Sequence, residues 1–141
     1  MKIRKAAMKD AKRILELLNS DDNLSVNMTR GDYRGEDIKD YIAKKINQTF
    51  VYEEDGKVVG VVVSQFWTTY FHLNLIVIDK NYRGKGIGAQ LVKHVETLAK
   101  KRGIGYVELV TEEKNSQMQR LMDKLNYRKG NKFLSYCKDL K

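Results

Sequence analysis

Hydrophobic and polar positions follow two different periods along this chain, and together they predict a mixture of strands and helices. Short apolar runs bounded by polar turns are typical of strands, whereas apolar residues three and four positions apart indicate helices with one buried face. Strands are predicted at 3–7, 49–52, 57–63, 71–78, 106–110 and 133–140. Helices are predicted after Asp10, over 37–46, from Ile87 to Arg102 and from Asn115.

The turns between these elements favour one sheet with helices packed on it. Asp55-Gly56 is a strong signal for a tight hairpin, so the strands on either side are expected to pair antiparallel. The run 71–78 is apolar on both faces toward its end, as in a central strand that is covered on both sides. No proline or repeat marks a boundary, and the length suits one core, so 1–141 is expected to form a single mixed α/β domain.

Composition places the chain among ordinary globular proteins, because 42% of its residues are hydrophobic and 32% are charged. No apolar run approaches the roughly 20 residues that span a bilayer, and the first residues contain no signal-peptide core. A soluble, cytoplasmic protein with no membrane partner is therefore expected. Cys137, the one cysteine, is expected to be a buried small side chain, and without neighbouring Cys or His it predicts no metal site.

The net charge of +9 is unevenly distributed. Residues 1–79 are neutral overall, 80–102 carry +6, 103–113 carry −3, and 114–141 carry +6. A basic excess raises nucleic acid or a phosphorylated ligand as partners. No recognised nucleic-acid motif is present, and the first excess begins around a glycine-rich loop. A phosphorylated small ligand is therefore favoured, and no nucleic-acid partner is expected.

The loop Arg83-Gly84-Lys85-Gly86-Ile87-Gly88 lies between a predicted buried strand and a helix. Closely spaced glycines let the backbone approach an anion, and the free N–H groups at the following helix start point toward it. No window supplies a Walker A pattern. The dinucleotide pattern is formally satisfied with Ala89 in its third place, but five residues separate its first glycine, Gly84, from the strand end. Too little chain follows Glu113 for a second nucleotide-binding half.

The loop and its flanks resemble the GNAT superfamily of acyl-CoA-dependent N-acetyltransferases. The pattern is Arg-x-x-Gly-x-Gly with Val77-Ile78-Asp79 and Tyr82 ahead of it, and with a helix beginning at Asn115 after the next strand. The resemblance covers nearly the whole chain. It implies a central, mostly antiparallel sheet flanked by helices on both faces. It also implies acetyl-CoA as cofactor and direct attack by a primary amine of a small molecule or a protein lysine.

The same resemblance implies the cofactor-binding residues. Backbone groups of the strand before the loop would bind the pantetheine arm and thioester, the loop amides would hold the pyrophosphate, and Asn115 would hydrogen-bond near the thioester. Asn115 is equally explained as a helix N-cap. The implied residues are Ile76, Val77, Ile78, Arg83, Gly84, Lys85, Gly86, Ile87, Gly88, Ala89 and Asn115.

A general base is expected, because an amine with a pKa of roughly 10.4 arrives largely protonated. His72 is the catalytic candidate, since strand alternation would place it on the face of Ile76 and Ile78, upstream of the thioester. A half-exposed strand residue or a core histidine is the alternative. Glu112 or Glu113 acting through water is a further candidate.

Three residues depart from the family pattern. Met122 stands where many relatives carry a Tyr that protonates the leaving thiolate, so Tyr127, Tyr136 or water would serve, or the thiolate would leave unassisted. Val110 stands where relatives that acetylate protein N-termini carry Glu, which disfavours that subfamily. Asn126 replaces a Gly, so the final strands are expected to deviate locally. Because of Met122, a non-catalytic acyl-CoA-binding regulatory module is the alternative function.

The acceptor and the oligomeric state are left open. Residues 19–40 carry six acidic and three basic side chains, which favours a cationic amine such as a polyamine, a lysine side chain or an aminoglycoside-like compound. The alternative is a solvated loop. Trp67, Tyr70 and Tyr33 are candidates for an apolar acceptor slot or for packing against the core. Dimers are common in the family, so a homodimer is one expectation.

Overall fold

The strands and helices follow one another in alternating blocks in the computed structural model, which describes residues 2–22, 24 and 31–140. Within those residues the strands are β1 (Lys2–Lys5), β2 (Asn47–Glu54), β3 (Lys57–Phe66), β4 (Phe71–Ile78) and β5 (Val107–Glu108). The helices are α1 (Ala11–Asn19), α2 (Gly35–Ala43), α3 (Ile87–Lys101) and α4 (Ser116–Lys124). Short 3-10 turns precede α1 and α3.

The strands form one sheet in the order β1-β2-β3-β4-β5. Each neighbouring pair is antiparallel except β4 and β5, which are parallel. Asp55 and Gly56 connect β2 to β3 with φ values of 50° and 75°. A two-residue hairpin turn whose twist matches its strands requires positive φ at both positions, so the predicted hairpin is confirmed.

Helices cover both faces of the sheet, and each face has its own hydrophobic core. On one face, Ile14 and Leu17 of α1 and Ile38 of α2 pack against alternate residues of β2, β3 and β4. On the other face, Leu91 and Val95 of α3 pack with the remaining strand residues and with α4. The expected mixed α/β fold, with a mostly antiparallel sheet between two helical layers, is therefore confirmed.

A β-bulge in β4 changes which side chains share a face. Leu73 is paired with Ser64 and Leu75 with Val63, so Asn74 has no partner in β3. The extra residue reverses the alternation at that point. Phe71 and Leu73 consequently belong to the core beneath α3, whereas Leu75 and Val77 belong to the core beneath α1 and α2.

The bulge overturns the predicted side for His72. Ile76 and Ile78 pack on the α3 core, the same face as Phe71. His72 follows Phe71 directly in a strand and therefore lies on the opposite face. Strict alternation predicted a shared face for His72, Ile76 and Ile78, and that prediction is wrong because one unpaired residue intervenes.

The end of α4 explains the departure at Asn126. Asn126 adopts a φ of 63°, and the following Tyr127 N–H donates to the Met122 carbonyl at 2.9 Å. This is a left-handed helix terminus, a position that Gly fills most readily and that Asn tolerates better than other residues. Asn126 can therefore end the helix as a Gly would.

The last predicted strand is absent from the structure. Residues 128–140 form no regular secondary structure, and Cys137 is exposed instead of buried. β5 is also shorter than its predicted range of 106–110. Both predictions were wrong for the same reason. A strand needs a partner for its backbone groups. In the structure β5 pairs with β4 at two positions only, and residues 128–140 pair with no described strand.

Gly60 provides a test of the close approach between the sheet and α3. A Cβ built on Gly60 would lie 2.9 Å from Ile78 Cδ1 and 3.2 Å from Ile87 Cγ2. We expect Gly60→Ala to lower the free energy of unfolding by about 1–3 kcal/mol, because the side chains of Ile78, Ile87 and Leu91 must move to accommodate the methyl group. Urea unfolding measures the change. Gly35→Ala is the matched control, since no atom lies within 4 Å of the added Cβ; equal stability of the two variants would contradict the prediction.

Candidate active site

A cleft opens in the sheet where β4 and β5 separate. The two strands pair only at Phe71 with Val107 and at His72 with Glu108, and then diverge. The space between them holds a cavity of about 180 Å³ that is also bordered by α3 and α4. Its lining residues are Leu24, Tyr33, Leu73, Asn74, Leu75, Ile76, Val92, Leu109, Val110, Thr111, Glu112, Asn115, Met118 and Met122.

The edge of β4 that faces this cleft carries backbone groups without a partner strand. β3 pairs with β4 along its length, but beyond His72 the other edge has no strand beside it among the described residues. Of the three positions predicted to bind the pantetheine arm, Ile76 lines the cavity. Val77 is buried beneath α1, and the Ile78 carbonyl accepts a hydrogen bond from Arg83 Nε at 3.0 Å. All three residues thus lie in the second half of β4, and Ile76 is the one that lines the cavity.

The glycine-rich loop follows β4 and leads directly into α3. Gly84 and Gly86 have φ values of 77° and 80°, and α3 begins after Gly86 with no side chain capping it. The first-turn amides of Ile87, Gly88 and Ala89 cannot be satisfied within the helix. They are positioned to bind an anion in front of the loop, where the helix dipole favours negative charge.

Two features of the glycines fit a phosphate group. A Cβ added at Gly84 or Gly86 would meet no protein atom within 4 Å, so the loop faces open space. A Cβ at Gly88 would lie 3.9 Å from Ile76 Cδ1, which places the loop beside the wall of the cavity. The loop and the cavity therefore form two adjoining parts of one cleft.

The two basic side chains of the loop have different surroundings. Arg83 donates to the Ile78 carbonyl and lies 3.4 Å from an Asp21 carboxylate oxygen, so it ties the loop to β4 and to the end of α1. Lys85 is exposed, and its Nζ lies 5.1 Å from the centre of the Tyr82 ring. Arg83 holds the loop in place, whereas Lys85 places a positive charge on an exposed side chain beside the loop.

Tyr33 forms the wall of the cavity on the side of α1 and α2. Asn19 holds its backbone through two hydrogen bonds, Nδ2 to the Tyr33 carbonyl at 3.0 Å and Tyr33 N–H to Oδ1 at 2.8 Å. Burial raises the pKa of Tyr33 to about 12, with a further contribution from Tyr41. Burial also raises the pKa of Tyr41, and the side chain of Asn74, the bulge residue of β4, partly offsets that increase. Sequence reasoning did not single out Tyr41.

The other two predicted aromatic residues lie elsewhere. Trp67 and Tyr70 occupy the turn between β3 and β4, and their rings stack with centres 6.4 Å apart. Neither lines the cavity. Of the three aromatic candidates for an acceptor slot, the structure places Tyr33 there.

The acidic residues of 19–40 are mostly engaged locally. Asp21 lies beside Arg83, Asp37 accepts a hydrogen bond from the Arg34 N–H at 2.8 Å, and Asp40 pairs with Lys44 at 3.0 Å. None of them lines the cavity. Leu24 and Tyr33 of the same segment do line it, and residues 23 and 25–30 lie outside the described residues. The role of this segment toward a cationic acceptor therefore stays a prediction.

Glu112 is the carboxylate that borders the cavity among the described residues. Glu113 points away from it and pairs with Lys132 at 2.9 Å, which lowers the pKa of Glu113. His72 is half-buried and is absent from the cavity lining. Of the three base candidates predicted from the sequence, the structure brings Glu112 to the cavity.

Residues of α4 complete the cavity. Asn115 Oδ1 accepts the Met118 N–H at 3.1 Å, so the N-cap role is confirmed, and Asn115 also lines the cavity. Met122 is 8% exposed and lines the cavity in the position discussed above. Tyr127 donates to Glu96 at 2.8 Å and Tyr136 is 86% exposed; neither lines the cavity. The sequence-based candidates for a substitute acid are therefore not at this site.

Among the described residues, no three His, Cys, Asp or Glu side chains come close enough together to hold a metal ion. None of the helices in the described part of the chain is both long and apolar enough to span a membrane.

The sequence model of the Acetyltransferase (GNAT) family matches residues 11–127. The chain belongs to this family. It is a GNAT N-acetyltransferase, and the matched range contains β2 to β5, the glycine-rich loop and α4. The family assignment confirms the resemblance found in the sequence.

Solved structures share the GNAT fold along the whole chain. Aminoglycoside N-acetyltransferase AAC(6')-Iy in complex with CoA is 15% identical with a TM-score of 0.80, covering 99% of this chain and 100% of that one. A transcriptional regulator from Bacillus halodurans C-125 is 22% identical with a TM-score of 0.82, covering 96% and 98%. A ribosomal-protein-alanine N-acetyltransferase from Brucella melitensis biovar Abortus 2308 is 18% identical with a TM-score of 0.78, covering 99% of each chain.

Gly86 allows the charge of a bound ligand to be tested at one position. Asp and Asn have the same shape and both tolerate positive φ, so Gly86→Asp and Gly86→Asn introduce similar strain and differ in charge. We expect CoA to bind at least about tenfold more weakly to the Asp variant, because the new carboxylate faces the first-turn amides where phosphate would lie. Isothermal titration calorimetry measures both affinities. Equal affinities in two folded variants would contradict the assignment of this loop.

Proposed function

We propose that this chain transfers the acetyl group of acetyl-CoA to a primary amine of a small molecule or a protein lysine. The supporting observation is the cavity between β4 and β5, which Glu112 borders and whose lining residue Ile76 lies 3.9 Å from a Cβ built on Gly88 of the glycine-rich loop. A phosphorylated cofactor fits the loop, and a cationic acceptor fits the cavity.

Residues at three places would hold the cofactor, which supplies an acetyl group activated as a thioester. The amides of residues 84–89 would bind its phosphates. The open edge of β4 around Ile76 would hydrogen-bond its extended arm, replacing the missing strand. Asn115, whose Oδ1 already caps α4, would present its Nδ2 to the cavity.

We propose Glu112 as the group that receives the proton of the incoming amine, directly or through water. An ammonium group cannot attack a carbonyl carbon, so its proton must leave first. Glu112 borders the cavity, whereas His72 lies on the strand face directed toward α1 and α2. His72 stays the candidate predicted from the sequence. Substituting Glu112 and His72 separately can show which of them accepts the proton.

Tyr33 is the phenol that borders the cavity. Its pKa, raised to about 12 by burial, keeps it protonated at physiological pH. A thiolate with an ordinary pKa near roughly 8.5 cannot readily take a proton from such a group. We therefore assign Tyr33 a hydrogen-bonding role toward the leaving sulfur, which departs as the thiolate and takes its proton from the solvent buffer after release.

The acceptor is proposed to be cationic, because Glu112 places negative charge at the cavity mouth. Asn74 supplies a neutral polar group to the lining of the same cavity. Two of the structural neighbours are named for aminoglycoside and ribosomal-protein-alanine acetylation. Polyamines, aminoglycosides and lysine peptides are accordingly the first acceptors to test.

A thiol-release screen tests the proposed activity. We expect free CoA thiol to be produced from acetyl-CoA with at least one class among polyamines, aminoglycosides, amino acids and lysine peptides. The Gly86→Asp variant is the control, because weakened cofactor binding should reduce the signal. Tight CoA binding without thiol release across the panel would instead favour a non-catalytic acyl-CoA-binding module.

Matched glutamine variants separate the two base candidates. We expect Glu112→Gln to lower kcat by about 10²-fold below the pKa of the acceptor amine, with CoA affinity unchanged. The loss should diminish at higher pH, where more of the amine is already neutral. His72→Gln should retain most of the activity. Steady-state kinetics between pH 6.5 and 9.5 measures both; a loss confined to KM would mean that Glu112 attracts the acceptor without removing its proton.

A further inference from the structure

Helix α1 contacts the connection between β4 and α3 at two points. Arg13, in the first half of α1, donates through Nη2 to the carboxylate of Asp79, the residue that follows β4. Asp21, just after the end of α1, has a carboxylate oxygen 3.4 Å from Nη2 of Arg83, where the glycine-rich loop begins. The two ion pairs have opposite polarity, so reversing the connection along α1 would bring like charges together.

The first contact lies in a corner that several hydrogen bonds hold together. The Asp79 N–H donates to the Val59 carbonyl at 2.8 Å, and Asp79 Oδ1 accepts the Asn81 N–H at 2.9 Å. Arg13 Nε also donates to the Val58 carbonyl at 2.9 Å. The Asn81 N–H and the Arg13 guanidinium lower the pKa of Asp79, which favours its ionised form. The position of Asp79 is therefore fixed by more than its ion pair.

The second contact has less support from its surroundings. Arg83 Nε donates to the Ile78 carbonyl at 3.0 Å, and among the described residues Asp21 is the other hydrogen-bond partner of its guanidinium. Within the same described part of the chain, no hydrogen bond reaches Gly84 or Lys85. A Cβ built on Gly84 would meet no atom within 4 Å. The orientation of the loop therefore depends on how Arg83 is held.

Asp21 is well placed to hold Arg83. The two side chains are 10% and 28% exposed, so solvent ions screen this pair less than a pair on the open surface. The Asp21 N–H donates to the Leu18 carbonyl at 3.4 Å, and the Asp21 carbonyl accepts the Leu24 N–H at 3.1 Å. These bonds fix the backbone that carries the carboxylate. The guanidinium, which donates to Ile78 and to Asp21, is thus directed toward β4 and α1.

We propose that Asp21 is a positioning residue for cofactor binding: it holds Arg83 against the end of β4 and so directs the amides of residues 84–89 toward the phosphate groups of CoA. This role of Asp21 rests on the proposed binding of CoA by the loop. Asp21 does not touch the cofactor and acts through Arg83. In the alternative arrangement Arg83 binds a phosphate directly, and Asp21 competes with that phosphate for the guanidinium.

Neutralising Asp21 separates the two arrangements by the sign of the effect. We expect Asp21→Asn to bind CoA at least about threefold more weakly, because Arg83 loses one of its two anchors and the loop must be ordered on binding. If Arg83 bound phosphate directly, the substitution would remove a competing negative charge and strengthen binding. Isothermal titration calorimetry measures the affinity. Equal or tighter binding by Asp21→Asn would overturn the proposal.

Asp22→Asn is the matched control. It removes the same charge one residue further along the chain, from an exposed side chain. We expect its CoA affinity to stay within about twofold of the unmodified chain, because an exposed charge contributes little. A loss equal to that of Asp21→Asn would overturn the proposal, since the effect would then follow net charge and not the contact with Arg83.

Arg83→Lys tests the geometry of the pair while keeping its charge. Lysine carries its charge on one nitrogen and cannot reproduce the fork by which Arg83 reaches the Ile78 carbonyl and Asp21. We expect CoA to bind at least about threefold more weakly, and the KM for acetyl-CoA to rise with kcat within about twofold, because the loop lies away from the reacting atoms. Unchanged CoA affinity would overturn the proposal, even if Asp21→Asn does not fold.

The double variant Asp21→Asn/Arg83→Lys shows whether the two residues act as one unit. We expect it to bind CoA no more weakly than Arg83→Lys alone. Losses that multiply would mean that Asp21 acts independently of Arg83, contrary to the proposal. Failure of the unmodified chain to bind CoA would overturn the proposed function as well. Normal CoA binding by every variant would overturn only the role of Asp21.

Discussion

The separation of β4 from β5 after two paired positions is the constraint on which the site depends. A strand in the interior of a sheet normally has both edges hydrogen-bonded, and each buried backbone group left unsatisfied costs about 1–3 kcal/mol. β4 retains β3 on one side and loses its partner on the other beyond His72. Those backbone groups must bind water or a ligand. The edge of β4 beyond His72 is therefore available for hydrogen bonds inside the sheet.

The elements around this opening follow from how β4 ends. Ile78 is followed by a 3-10 turn and by Arg83, which donates back to the Ile78 carbonyl. That contact directs the chain into Gly84 and Gly86, whose positive φ values aim the first amides of α3 across the same opening. The glycine-rich loop and the open strand are therefore adjacent, because one short connection joins them.

The charge of the protein is organised around the same region. Lys80, Arg83 and Lys85 precede α3, whereas Lys100, Lys101 and Arg102 lie at its other end, and the acidic residues of 103–113 lie in and just after β5. Glu112 lies at the cavity, while Glu108 and Glu113 flank the exposed edge of the sheet. The net charge of +9 thus comes from two basic stretches, 80–102 and 114–141, separated by the acidic residues of 103–113.

Local patterns in the sequence determined much of the fold. β4 was predicted with the bounds it has, because an unbroken apolar run between polar turns admits few alternatives. The Asp55-Gly56 hairpin and the start of α3 were likewise determined by residues adjacent in sequence. The family, and with it the glycine-rich loop and Asn115, could be recognised from a few spaced residues.

Only the tertiary structure decided the arrangement at the cavity. The bulge at Asn74 reverses the strand faces, and its presence depends on the register with β3, which no residue of β4 encodes alone. It separates the face of His72 from that of Ile76 and Ile78, whereas the divergence of β5 leaves Glu112 at the border of the cavity. Residues 133–140 have the composition of a strand but form none in the structure, because a strand forms only where another backbone completes its hydrogen bonds. The sequence could specify which segments are suited to pair, and the packing of distant segments decided which of them do.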